Sequence, residues 1–178
     1  VIDISGLSTE KNNLDLVKWA KYAYENKWGY VYGSHCDVLT ESELNRLKSV
    51  FGSHVSEKED YIRSHWLGRR TADCVGLIKG YGWYDSTSGT IQYGTNGMKD
   101  VTADGMYAAA TEKGPISTMP DILGLAVWHE GHIGVYIGNG YVIHAANTYD
   151  GVIKTPITSS GWTNWLKIPY INYVENEE

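Results

Sequence analysis

Cysteine and phenylalanine are scarce here: two Cys and one Phe in 178 residues. Two thiols, Cys36 and Cys74, cannot build a disulfide framework, so the fold must rest on a packed core. At this length one domain can bury such a core without staples. No apolar run approaches the length needed to span a bilayer, so no membrane insertion is expected. Positive charge is also in deficit, with 15 Lys and Arg against 21 Asp and Glu, a formal net charge of −6. That balance argues against nucleic acid or an anionic membrane surface as the partner. No internal repeat or low-complexity tract is present, and Val1 opens no basic-then-apolar leader. What the chain does have is 14 Tyr, 7 Trp and 20 Gly. Tyr and Trp carry flat apolar faces with a polar edge, which suits strands and polar-substrate clefts.

Residues 1–12 show no clear period and read as an N-terminal arm or linker, with one domain over 13–178. From Asn13 to Lys27 the apolar residues Leu16, Trp19, Ala20, Ala23 and Tyr24 recur at helical spacing, with Gly29 as the stop. Two helix starts with capping-box spacing follow, Thr40 with Glu43 and Ser56 with Glu59, with stops at Gly52 and Gly68. They predict a helical insertion at about 34–70. Thr102 to Lys113 reads as a further helix closed by Gly114-Pro115. After Pro120 the texture changes to strands, at Leu125–Trp128, His132–Ile137, Tyr141–Ala146, Val152–Ile157 and Trp165–Ile168. Helices first and an antiparallel sheet second is the α+β pattern.

The chemistry concentrates at Thr71-Ala72-Asp73-Cys74-Val75-Gly76, where a turn-prone lead places a thiol in the first turn of a helix predicted to run to about Gly82. Free N–H groups and the helix dipole there favour thiolate. Such a thiol needs a base and a group to orient the base. The hairpin around Ile137-Gly138-Asn139-Gly140-Tyr141 decides whether His132 and His144 qualify. With Asn139-Gly140 as a two-residue loop, Val135 faces His144 and the imidazoles lie on opposite faces. With a three-residue loop of Gly138, Asn139 and Gly140, Gly134 opposes His144 and His132 is its diagonal neighbour. The second register makes Cys74, His132 and His144 a nucleophile, base and orienter. His129 and Glu130 read as solvated loop residues, and Trp162 and Trp165 as packing in a closing strand rather than sugar platforms. A rival thiol site at His35-Cys36 lacks a helix start. A zinc site from His35, Cys36, His54 and His65 lacks paired close-spaced ligands. No metal and no cofactor are expected.

These residues resemble the NlpC-type cell-wall cysteine peptidases, related to CHAP amidases, which have a circularly permuted papain-like fold. Tyr30-Val31-Tyr32-Gly33, Asp73-Cys74-Val75-Gly76-Leu77, His132-Ile133-Gly134-Val135-Tyr136-Ile137-Gly138 and Val142-Ile143-His144-Ala145 match the family's four elements in order. The resemblance implies a cysteine endopeptidase that hydrolyses amide bonds in bacterial peptidoglycan peptides, commonly between D-glutamate and a diamino acid. Cys74 would be the nucleophile, His132 the base and His144 the orienter. Tyr30 would line the site near the oxyanion, beside Asp73 and Val75. It further implies a secreted or phage-delivered protein acting at the wall, endolysin-like, as a monomer or as one domain of a longer protein. Val75 stands where the family has Ser, and the segment Ser34–Arg70 is longer than its usual Tyr-to-Cys connection. The alternatives are an amidase or acyl transferase of the same fold acting on another amide, and a non-catalytic wall-binding module.

Overall fold

The structure, a computed structural model, describes residues 3–175. Helix α1, Asn13–Glu25, starts where the Asn12 side chain accepts a hydrogen bond from the Asp15 N–H. Its stripe of Leu16, Trp19, Ala20 and Ala23 is fully buried. Burial of a ring as large as Trp19 stabilises by about 3 kcal/mol. The arm before α1 packs on the same core through Ile4 and Leu7, and Lys11 Nζ donates to the Tyr84 carbonyl at 2.6 Å.

Between α1 and the nucleophile helix lies a small layer of its own. Strand β1, His35–Val38, pairs with β2, Arg70–Ala72, and the helices α2, Glu41–Phe51, α3, Ser53–Ser56, and α4, Glu59–His65, are strung between them. Leu39, Leu44, Leu47, Val55 and Ile62 form a core separate from the main one. Thr40 caps α2 through the Glu43 N–H, as its spacing predicts. Ser56 does not cap. It ends α3, and α4 starts at Glu59 behind an N-cap, Lys58, that makes no side-chain cap, while Glu59 pairs with Lys48 and Arg63.

Helix α5, Cys74–Trp83, follows β2 directly. A short ribbon, β3 at Tyr84–Asp85 and β4 at Thr90–Ile91, leads to α6, Ala103–Ala109. The predicted helix to Lys113 is cut short here. Residues Lys113–Pro115 form the edge strand β5, paired with β10, Asn164–Leu166, so sheet pairing overrides the local helical pattern.

The remaining strands are β6, Ala126–His129, β7, His132–Gly138, β8, Tyr141–Asn147, and β9, Gly151–Pro156. They complete a six-stranded antiparallel sheet in the order β5-β10-β6-β7-β8-β9. Ile133, Val135, Ile143 and Ala145 turn one face of β7 and β8 towards α1 and α5 and form the main core with them. The fold is α+β, with helices on one side of an antiparallel sheet.

The β7–β8 turn combines both sequence readings. Asn139 and Gly140, at φ 54° and 78°, are a two-residue loop with Gly138 opposite Tyr141. From Tyr136 inward the pairs are Tyr136 with Val142 and Val135 with Ile143, the register expected of the longer loop. A bulge at Ile137–Gly138 absorbs the one-residue difference. His132 and His144 therefore share a face, opposite the core.

Candidate active site

Asp73 builds the first turn of α5. One carboxylate oxygen accepts from the Gly76 N–H at 2.7 Å and caps the helix; the other accepts from the Gly33 N–H at 2.9 Å. The Asp73 N–H in turn donates to the Ser34 carbonyl at 3.0 Å. One residue thus caps the helix and clamps the turn after Tyr30 against it. Gly76 permits the approach, since a Cβ there would lie 2.0 Å from the Ser34 carbonyl oxygen. Cys74 sits half-buried in that first turn, and the buried thiol of Cys36 packs beneath it, 3.4 Å from the Gly76 carbonyl.

Tyr30, Asp73, Cys74 and Val75 line one cleft of about 1090 Å³. Glu43, Arg46 and Phe51 of α2 also line it, as do Tyr93, Asp100 and Asp104. Helix α2 of the insertion therefore borders the candidate site. Val75 is 5% exposed and packs into the main core as well as reaching the cleft. Burial, and then the nearby Asp73 and Cys74, raise the Tyr30 phenol above its ordinary range. Its hydroxyl stays protonated and available as a donor.

His132 and His144 meet on the far face of the sheet at its β7 start. His132 Nε2 and His144 Nδ1 are 2.8 Å apart. Among the described residues His132 Nδ1 has no hydrogen-bond partner. Thr155 Oγ1 lies 3.3 Å from His144 Nε2. Trp162, 6% exposed, stacks on His132 with ring centres 5.3 Å apart and planes 7° from parallel, and meets His144 edge-on. Gly134 makes room for it, since a Cβ there would stand 3.2 Å from the Trp162 ring and 2.7 Å from Val142. An imidazolium at His132 would gain about 1 kcal/mol or more from the indole face.

Electrostatics correct one expectation. Burial, and then the Asp73 carboxylate, push the Cys74 thiol up to about 12. The N–H groups of Ile133, Val75 and Cys74 itself act the other way, and are outweighed. Dipole and free N–H groups at a helix start favour thiolate as reasoned, but desolvation is the larger effect. His132 is pushed down to about 4, first by burial and then by His144 and His129. His144 is likewise held at about 4 by burial and His129, with Asp150 opposing. At rest the groups are a thiol and two neutral imidazoles.

The structure brings Tyr30, Asp73, Cys74 and Val75 into one cleft. It brings His132 and His144 into one hydrogen-bonded pair beside Ile133, whose N–H faces the Cys74 sulfur. His129 is not a solvated loop residue: it ends β6 opposite His132, its ring 5.4 Å from that ring. Trp162 and Thr155 went unrecognised as neighbours of the pair. Trp162 lies in a loop with no periodic signal, whereas Thr155 was reachable by carrying the alternation of β8 across to β9. Among the described residues no group of three or more His, Cys, Asp or Glu could hold a metal, and no helix is long and apolar enough to cross a membrane.

A thiol at a helix start, packed on an antiparallel sheet whose strands carry a histidine pair, defines the class of papain-like α+β domains. The NlpC/P60 family model matches residues 63–169, and the chain belongs to that family. The matched region holds Asp73, Cys74, His132 and His144; Tyr30 and most of the inserted helices precede it. Among solved structures, NlpC2 from Trichomonas vaginalis is 16% identical with a TM-score of 0.49, over 93% of this chain and 51% of that one. The peptidoglycan hydrolase RipB from Mycobacterium tuberculosis is 16% identical with a TM-score of 0.45, over 88% of this chain and 66% of that one. The P60 domain of an antigen from M. avium subspecies paratuberculosis is 18% identical with a TM-score of 0.47, over 89% of this chain and 97% of that one. The chain spans about half the length of the first of these. No curated protein sequence matches it.

Proposed function

We propose that the protein is a cysteine endopeptidase that hydrolyses amide bonds in the peptide stems of bacterial peptidoglycan, outside the cell or at the wall. The observation that carries the reading is the 2.8 Å His132–His144 hydrogen bond, which leaves His132 Nδ1 without a partner among the described residues, one residue from Ile133, whose N–H faces the Cys74 sulfur. Membership of the NlpC/P60 family supports the substrate class.

In this reading Cys74 Sγ attacks the carbonyl carbon of the scissile amide while its proton passes to His132 Nδ1. Because thiol and imidazole rest neutral, proton transfer accompanies formation of the C–S bond rather than preceding it. The Tyr30 hydroxyl and the Cys74 N–H donate to the developing oxyanion. His132 returns the proton to the leaving nitrogen as the C–N bond breaks, giving a free amine and a thioester. Water, losing a proton to His132, then attacks the thioester and releases the carboxylic acid with regeneration of the thiol.

Incubation of the protein with defined muropeptides, read by mass spectrometry, tests this. The expected products are two fragments whose summed mass exceeds the parent by one water, split at an amide of the stem. Intact muropeptides, with turnover of some other amide, would move the site to the second reading, an amidase or acyl transferase of the same fold. Val75, where the family has Ser, is the residue that favours considering it.

A further inference from the structure

We infer that Thr155 is a positioning residue, holding His144 in the one tautomer that lets His132 act as a base. The inference rests on the proposed roles of Cys74 and His132. It starts from sheet register. Val142 pairs with Thr155 and His144 with Ile153, so Thr155 is the diagonal neighbour of His144 on the histidine face. Its Oγ1 lies 3.3 Å from His144 Nε2, and among the described residues it is the only hydrogen-bond partner of that nitrogen.

Two neutral arrangements fit the distances. In the first, His144 Nε2–H donates to Thr155 Oγ1, His144 Nδ1 accepts from His132 Nε2–H, and His132 Nδ1 carries a lone pair. In the second, Thr155 donates to His144 Nε2, His144 Nδ1–H donates to His132 Nε2, and His132 Nδ1 already holds a proton. Only the first leaves His132 able to take the Cys74 proton. Only the first also lets His144 accept from the imidazolium that results. A hydroxyl can accept as readily as donate, so Thr155 satisfies His144 Nε2 in either arrangement; its loss falls harder on the first, because a stranded N–H is tolerated less well than a stranded lone pair. Without the hydroxyl, that N–H would be stranded in a ring only 3% exposed, where an unpaired donor is poorly tolerated. The second arrangement would then gain population.

The test uses the full chain with ¹⁵N-labelled histidine at neutral pH, where long-range ¹⁵N–¹H correlation spectra report which ring nitrogen carries the proton. The wild type should show His132 and His144 both protonated at Nε2. Thr155→Val, which keeps the β-branched shape, and Thr155→Ala should both shift His144 to a mixture of tautomers. Both should lower kcat for amine release from purified wall by about three- to tenfold, the worth of one neutral hydrogen bond, with KM unchanged. Thr155→Ser should restore spectrum and rate. A wild-type His144 protonated at Nδ1 overturns the inference, as do Val and Ala variants with unchanged tautomers and kcat. Wild type without wall activity sinks the proposed function instead, while the tautomer spectra still decide the role of Thr155.

Discussion

The three histidines 129, 132 and 144 crowd against Trp162 on one face of the sheet, and that crowding sets the charge state of His132 and His144. Burial, and then neighbouring imidazoles (His144 and His129 for His132, His129 for His144), hold the two at about 4, against an ordinary value of 6.5. The sign follows from linkage: between these values the unfolded chain binds protons that the folded chain refuses. Stability is therefore complete above pH 6.5 and is lost as pH falls towards 4, by about 3 kcal/mol for one such histidine. Urea midpoints measured at pH 7.5, 6 and 5 should fall in that order, and His144→Asn should flatten the decline. A wild-type midpoint constant over this range would contradict the assignment. At this scale the sequence marked Cys74, His132 and His144 through spacing and resemblance. It could not weigh desolvation against the helix terminus, because burial of a side chain depends on what packs over it.

At the level of elements, the decisive pieces are the β7–β8 hairpin and the first turn of α5. The hairpin was readable because alternation has period two and Asn139-Gly140 favours left-handed backbone. The bulge at Ile137–Gly138 escaped because either loop length satisfies the local pattern. The stretch from Ala110 to Lys113 misled for another reason. Its helical pattern is real, but Lys113–Pro115 pairs with β10 across the chain, an interaction no local window contains. The α5 turn depends on Gly76, where a Cβ would meet the Ser34 carbonyl oxygen at 2.0 Å and Asp73 Oδ1 at 2.7 Å. Both contacts are to the clamp itself, so the segment after Tyr30 must move. Gly76→Ala should destabilise the fold by about 1–3 kcal/mol and displace the nucleophile turn. A denaturation midpoint and wall activity both equal to wild type would show that the clamp is not needed.

For the whole molecule, the sheet divides the labour. One face is the core with α1 and α5, the other holds the histidines, and the start of α5 brings the thiol to Ile133, the neighbour of His132. The α2–α4 layer rests on a separate core, is laced by Arg63 to Glu41 and Glu59, and is tied to the β8–β9 turn by Trp66 Nε1 donating to the Thr148 carbonyl at 2.7 Å. Its helices were legible from apolar period and caps; its place along the cleft was not, since contacts between layers leave no local pattern. The α+β class followed from the order of elements, whereas the papain-like arrangement came from resemblance and not from periodicity. The proposed role of Cys74 as the nucleophile of a wall-hydrolysing site is tested by the release of new amino groups from purified peptidoglycan by wild type and by Cys74→Ala, with circular dichroism and thermal midpoint recorded on both. Wild type should release amines, and a Cys74→Ala protein that keeps its fold should release none. Release that persists in that variant, or a folded wild type that releases nothing, would contradict it.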